Sequence, residues 1–475
     1  MARHKVETIT SLIGQVLSLG GGARRNLLNR ICRAISKCVP PRRCCAALAA
    51  LAAASSAIAQ DSMESAQLKL QSTAVFQYKP PFTAPYSGAN SLAPNRENSH
   101  TATVTVYAGV RPWENTELYF NPEMALGVPF SQLKGLGGFN NGEMARTSGA
   151  APTFYRARLF LRQTWNLGGD VQKVESGQNQ MAGVVKAQRL VLTVGNMSAI
   201  DIFDANKHSH EPRRSFLNWS LMTQGAWDYP ADARGYTWGA ALEYITPEWA
   251  VRAGRFMQPR ESNGLRLNKR IMSSYGDAVE VERGYRIGEQ AGRVRALAFR
   301  NQAVMGSFGD ALTLSSATGT QPDLTLVRTS QSKRGAAINV EHDLRDDIGF
   351  FMRAGAHDGR TETYAFTEID RSVSGGVLIK GTKWGREKDQ VGVAVAVNGL
   401  SGSHRTYLAQ GGLGFFLGDG RLTYHPEQIF ESFYSMQVIR NLWVSFDYQR
   451  IGNPGYNADR GPAHFAGVRV HAETR

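Results

Sequence analysis

Cysteine is almost missing from this chain: its 475 residues include four, Cys32, Cys38, Cys44 and Cys45, all before residue 60. A chain starting at Gln60 holds no thiol, which excludes from it both a disulfide framework and a thiolate metal site. Long hydrophobic runs are missing too. Beyond residue 59 no apolar stretch reaches 15 residues, whereas a helix needs roughly 20 to cross a bilayer. There is no fixed-period repeat, low-complexity tract or interdomain linker, so residues 60–475 read as one domain.

The first sixty residues read as an export signal, to be kept apart from the fold. Arg24, Arg25, Arg30, Arg33, Lys37, Arg42 and Arg43 precede the small apolar run Ala46–Ala59, which ends in Ala57-Ile58-Ala59. That run is too short for a membrane anchor. Cleavage after Ala59 by the general secretion route is expected. Residues 1–59 hold nine Lys and Arg against one Glu, which leaves 45 basic and 39 acidic side chains in the remainder, a net charge of +6 instead of +14. The basicity belongs largely to the signal, so no nucleic-acid partner is implied.

An exported chain without spanning helices can still enter a membrane as a closed barrel, the other structure that satisfies every backbone group in lipid. The pattern of the remaining chain points there. Val104, Val106, Ala108 and Val110 alternate with Thr101, Thr103, Thr105 and Arg111, and Trp238, Ala240, Leu242 and Tyr244 alternate with Thr237, Gly239, Ala241 and Glu243. Val279 and Val281 oppose Glu280 and Glu282. Val391–Val397 alternates with Gly392, Ala394 and Ala396, and Val444, Phe446 and Tyr448 oppose Ser445, Asp447 and Gln449. Successive strand residues face opposite sides. One side therefore suits hydrocarbon and the other a water-filled lumen. Tyr155, Tyr236, Tyr244, Trp249 and Tyr448 fall near strand ends on the apolar parity, as interfacial girdles do. Gly, Asn, Asp and Pro clusters such as Gly135–Gly142 and Asn206–Arg214 separate the strands as turns or long loops.

The stretch Tyr155–Thr164, YRARLFLRQT, carries the most informative alternation. It sets Tyr155, Ala157, Leu159 and Leu161 against Arg156, Arg158, Phe160, Arg162 and Thr164. With Arg111, Arg189, Arg252 and Arg353, the arginines Arg156, Arg158 and Arg162 are expected to face the lumen, several of them forming its constriction. Glu243, Glu280 and Glu282 are expected beside them. Arginine suits a channel for polyhydroxylated solutes because its fork offers five donors and stays charged, and residues 60–475 contain 34 Arg against 11 Lys. The competing reading is that these arginines pair with acids and brace the wall.

Ordered motifs then carry a resemblance. YSGANSL (Tyr86–Leu92), WENTELYFNPEMALG (Trp113–Gly127), GFNNGE (Gly138–Glu143), RLFLRQTWNLGG (Arg158–Gly169), DIFDAN (Asp201–Asn206), EPRRSFLNW (Glu211–Trp219), YPADARGYTWGAALEY (Tyr229–Tyr244), HRTYLAQGGLGFFLGDG (His404–Gly420) and NPGYNADRGP (Asn453–Pro462) resemble the OprB-type carbohydrate-selective porins. The resemblance implies an all-β transmembrane antiparallel barrel of about 16 strands in the bacterial outer membrane. It implies passive diffusion of small carbohydrates through the lumen, contact with outer-membrane lipid, and insertion by the barrel-assembly machinery. No cofactor or metal is implied. Asn141 and Glu143 match the family in the Gly- and Asn-rich loop Ser131–Arg146, which is expected either to fold inward and narrow the pore or to stay outside. Barrels of this kind generally finish on an aromatic residue; here Phe465–Glu473 alternates but Thr474 and Arg475 follow.

Two other classes use similar walls: an exporter of secreted polysaccharide, with a wider or more strongly charged lumen, and a barrel enzyme acting on lipid or glycan. The enzyme would need a nucleophile and base at one rim, and no G-x-S-x-G elbow occurs. His208-x-His210-Glu211 matches no strong metal spacing. Asp201 with Asp204, and Asp346 with Asp347, are paired acids of the sort any charged loop supplies.

Overall fold

In the computed structural model, residues 63–144 and 149–474 are described; the expected signal and its cleavage site, as well as Arg146 and Arg475, lie outside the described residues. The alternating segments become strands. β1 (Ala66–Lys79), β2 (Glu97–Trp113), β3 (Thr116–Val128), β4 (Thr153–Val174), β5 (Gly183–Met197), β6 (Thr237–Ile245), β7 (Trp249–Met257) and β8 (Tyr275–Ile287) are followed by eight more. These are β9 (Gln290–Gly306), β10 (Arg328–Arg345), β11 (Ile348–His357), β12 (Arg371–Gly381), β13 (Arg386–Gly399), β14 (Glu427–Ile439), β15 (Leu442–Gly452) and β16 (Ala463–Glu473). Each strand pairs antiparallel with its sequence neighbours, and β1 closes on β16, with Val75 opposite Arg469 on one side and Thr101 on the other. Closure leaves no unpaired edge, as lipid requires.

Connections alternate in length. One rim carries tight turns such as Glu114-Asn115, Gly288-Glu289, Asp346-Asp347 and Arg440-Asn441, while the other carries residues 80–96, 129–152, 198–236, 258–274, 307–327, 358–370, 400–426 and 453–462. This asymmetry is that of outer-membrane barrels.

Side-chain burial follows the alternation. Val279, Val281, Val393, Val395 and Val397 are exposed on the outer surface, whereas Glu280, Glu282, Ala394 and Ala396 are buried inside. Tyr244, Trp249 and Tyr448 lie exposed near strand ends. The expected parity fails at the start of β4. Opposite Asn121 and Pro122 of β3 the pairing slips, and Ala157 is the extra residue of a bulge. Pro122 has no N–H to give the ladder, so a break is tolerated there. The slip turns Tyr155 inward, its hydroxyl donating to Glu123 Oε1 at 2.5 Å. It also turns Arg156 outward, where the guanidinium lies 5.1 Å over the exposed Trp238 ring. Tyr155 is therefore not a girdle residue, and Arg156 does not face the lumen. Tyr236, which precedes β6, is likewise buried inside.

The barrel is filled from within. The connection 198–236 turns into the lumen and buries Phe203, Phe216, Leu217, Trp227 and Tyr229. Phe203 meets Phe256 of β7 at 6.2 Å and Phe216 meets Phe433 of β14 at 5.0 Å, both edge-on. Edge-on packing of this kind adds about 0.5–1.5 kcal/mol per pair beyond burial. His208 of the same connection fits against Gly349 of β11, where an added Cβ would stand 2.1 Å from the ring. The lipid-facing assignment is checked at Val395, near the middle of β13. Val395→Arg should destabilise the barrel in phospholipid vesicles by about 2–4 kcal/mol in urea titrations; no loss would place this face away from hydrocarbon.

Candidate functional site

The connection 198–236 is held inside chiefly through its backbone. Glu431 of β14 accepts from the amides of Leu217 and Asn218 at 2.6 and 2.9 Å, Glu280 of β8 from Asp204 N at 2.8 Å, and Glu341 of β10 from Lys207 N at 2.6 Å. Wall arginines meet its carbonyls. Arg353 donates to Leu221 O at 3.0 Å and to Ser209 O, and Arg469 donates to Ser215 O at 2.6 Å. Asp204 is the loop's own hub, accepting from Thr223 Oγ1, Gln224 N, Asn339 Nδ2 and Arg353 Nε within 2.6–3.1 Å. A buried charge is tolerable when paired and hydrogen-bonded. Here the partners are the peptide groups that a loop inside a barrel must itself satisfy.

Between this loop and the wall of β2–β6 lies a cavity of about 580 Å³. Arg111, Arg158, Arg162 and Arg189 line it with Arg213 and Arg234, against Glu117, Glu123, Glu143, Asp201, Glu211 and Glu243. Among the described residues, six cations thus face six carboxylates. Arg158 grips Asp201 with both arms, Nε–Oδ2 2.8 Å and Nη2–Oδ1 2.6 Å. Glu117 joins Arg111 at 3.1 Å and Arg162 at 3.4 Å, and accepts from Tyr119 at 2.8 Å. Arg213 bridges Glu143 at 2.7 Å and Glu123 at 3.2 Å. Arg189 donates to Gln172 at 3.1 Å. An aromatic patch completes the wall: Trp219 stacks on Tyr229 at 6.0 Å and 3°, and on Phe366 at 5.1 Å and 22°.

The loop containing Asn141 and Glu143 also folds inward. Asn141 is buried and donates to Thr101 Oγ1 at 3.3 Å, while Glu143 reaches the cavity and accepts from Thr103 Oγ1 at 2.7 Å. The remaining expected residues stand elsewhere. Arg252 is held by Glu243, Glu280 and Glu282 at 2.9, 2.9 and 3.0 Å; Glu282 also takes Arg295 at 2.8 Å. Arg252, Glu280, Glu282 and Arg353 are buried in this bracing network and in the stapling of the loop, away from the cavity. Pattern reading passed over Arg213, Arg234, Glu117 and Glu123, set Asp201 aside as an ordinary paired acid, and placed Tyr155 and Tyr236 in the girdle. The motifs EPRRSFLNW and YPADARGYTW held the signal for three of them, but strand parity says nothing about loop residues.

Charge within the loops is set by burial and pairing. Burial would raise the Asp201 carboxyl, but Arg158 and the Ser198 amide outweigh it and hold Asp201 below the ordinary carboxylate value. Burial raises Glu143, and Arg213 offsets only part of this. Burial also lowers His210, which is neutral at pH 7. His208 and His210 do not converge: His208 faces Asp343 at 3.1 Å, and His210 faces the cavity.

A depressed folded-state pKa gives stability that is present above the unfolded value and lost as pH falls through the folded one. The Arg158–Asp201 clamp should therefore survive acidification through the ordinary aspartate value near about 3.9 and open only below it. Single-channel conductance titrated with acid checks this, with Asp201→Asn expected to remove the transition. Arg213→Ala should destabilise the fold by about 3–5 kcal/mol, because it leaves Glu123 and Glu143 buried without a cation; denaturant unfolding measures the loss.

A family model described as the carbohydrate-selective porins of the OprB family matches residues 90–473. Among solved structures, the high-pH structure of OprB from Pseudomonas putida is 16% identical, covers 86% of this chain and 94% of its own, and has a TM-score of 0.66. The outer membrane channel DcaP of Acinetobacter baumannii is 9% identical, with 86% and 96% covered and a TM-score of 0.50. Both likenesses concern the fold. No curated protein matches the chain.

Proposed function

The chain belongs to the OprB family of carbohydrate-selective porins and is an outer-membrane channel for sugars, and on that premise we propose that small neutral carbohydrates diffuse passively through the cavity between the β5–β6 connection and the wall. The observation that carries this reading is the balance of the lining, six arginines against six carboxylates. A sugar is uncharged and covered with hydroxyls that both donate and accept. Fixed guanidinium donors and carboxylate acceptors replace its lost water contacts, and because Arg111, Arg158, Arg162 and Arg213 are already paired with carboxylates, none of these binds the solute tightly enough to stop it leaving. Trp219, Tyr229 and Phe366, stacked on one another and largely buried, add an apolar margin to the cavity. Arg158, Arg162, Arg189 and Arg213 serve as the selecting groups, Arg111 and Glu117 brace them, and Arg252, Glu280, Glu282 and Arg353 act through the wall and loop. Cleavage after Ala59 and delivery to the barrel-assembly machinery complete the reading of the leader.

The bulge in β4 supplies an internal control. Arg158→Ala should change the rate at which sugar-loaded liposomes swell and shift ion selectivity toward cations, by roughly two- to fivefold for one uncompensated lumen carboxylate. Arg156→Ala, two residues away on the outer surface, should leave both unchanged. Equal responses would overturn the assignment of Arg158 to the solute path. Reconstituted protein that passes ions but gives no size-dependent entry of monosaccharides would overturn the sugar reading and favour a polysaccharide exporter.

A further inference from the structure

β4 and β5 do not stop at the rim where their neighbours turn. The β2–β3 turn at Glu114-Asn115 is level with Thr164, whose amide donates to Asn115 O at 2.9 Å, and the β6–β7 turn begins where Ile245 pairs with Arg189. Past those points the two strands pair only with each other, as far as Val174 opposite Gly183. In outer-membrane barrels this short-turn rim faces the periplasm. The run Trp165–Val174 would reach about 30 Å if it stayed extended. It does not stay straight. The pairing slips twice, around Gly168, and Gly169 takes φ +79°, which only glycine adopts freely.

The arm folds back over the adjoining short-turn rim formed by β3, β2, β1 and β16. Its tip reaches the wall three to four strands away, where Gln67 of β1 donates to Gln180 O at 2.9 Å and to Ser176 Oγ at 3.2 Å, and Gln178 donates to Glu473 of β16 at 3.2 Å. Glu64, just before β1, donates its amide to Ala182 O at 3.0 Å and accepts from the Ala182 amide through Oε2 at 2.7 Å. On the near side the lumen itself takes hold: Arg162 donates to Asn179 O at 2.8 Å, Tyr119 OH accepts from Met181 N at 3.0 Å, and Met181 is buried. Gln178, Asn179 and Gln180 form the floor of the 580 Å³ cavity. Asn179 sits at φ +53°, and among the described residues its buried Oδ1 finds no donor. Such costs persist where the surrounding structure over-determines a conformation.

We propose that the tip Glu175–Ala182 is a second size filter of the channel, on its periplasmic side, through which solute leaves after passing the constriction made by the β5–β6 connection. The reading rests on the channel being a sugar path. The tip then sets the upper size of the solute that exits, with Gln178 and Asn179 as its selecting side chains and Arg111 and Arg162 as the groups that hold it in place. Two polar narrowings in series, with the arginine-lined cavity between them, let one small sugar at a time rehydrate only on departure.

Two variants test it. Replacing Leu167–Gln188 with Asn-Gly ends both strands at the rim with a two-residue hairpin closed by the pair Asn166 and Arg189. Glu64→Ala with Gln67→Ala and Glu473→Ala leaves the arm's sequence intact and removes its side-chain anchors on the β1 and β16 side. Both should raise single-channel conductance by roughly twofold, as expected when one of two narrow elements in series is removed, and should raise swelling rates with trisaccharides relative to monosaccharides by a similar factor. Wild-type conductance and wild-type size ratios in either inserted variant would overturn the filter. If the shortened chain does not insert, the triple alanine variant decides alone. Absence of monosaccharide entry in the wild type would sink the sugar reading instead, and a conductance rise on releasing the arm would still support the constriction.

Discussion

The interaction on which the rest depends is the hydrogen bonding of buried wall charges to the backbone of the β5–β6 connection. A barrel of sixteen strands encloses more space than its inward side chains fill, and a loop entering that space must find partners for every peptide group. Glu280, Glu341 and Glu431 accept its amides, and Arg353 and Arg469 donate to its carbonyls. Without them the loop would leave unpaired N–H and C=O groups in a dry interior; without the loop the wall charges would face open lumen and be answered by water and by one another, as Glu280 is by Arg252 and Glu341 by Arg295. The aromatic contacts of Phe203 and Phe216 then fix the loop's position against β7 and β14.

That fixed loop creates the asymmetry of the lumen. On its far side the wall is closed against it; on its near side the cavity opens toward β2–β6, where charge pairing is of a different kind. Arg158, Arg162 and Arg213 are each paired, yet they border space instead of backbone. A charge facing a cavity retains free donor capacity that a charge stapling a loop has already used. The same residue type, on the same strand parity, therefore does two jobs according to whether a loop lies over it.

Strand existence and inner or outer face were legible for most of the barrel because alternation has a period of two and the two solvents differ strongly. Val279 against Glu280, and Val395 against Ala394, needed no tertiary knowledge. The error at Tyr155 and Arg156 has one cause: a single extra residue inverts parity, and Pro122, the residue that permits the slip, lies on the neighbouring strand, where a reading along β4 alone does not look. Arg213 and Arg234 were illegible for a different reason. They sit on a loop, and nothing periodic says which way a loop residue points.

Sequence alone determined that residues 60–475 hold no apolar run long enough for a spanning helix and that they alternate over enough short segments to close a barrel with one face for lipid; these follow from local composition and from a geometry that repeats every two residues. The tertiary structure decided which arginines border the cavity and which brace the wall, that Ser131–Lys134 and the glycine-rich stretch after it turn inward, and that the β4–β5 arm folds over the short-turn rim toward β1 and β16. Each of these depends on contacts between residues tens to hundreds of positions apart. A hydrogen bond such as that from Gln178 to Glu473 leaves no periodic trace in either segment.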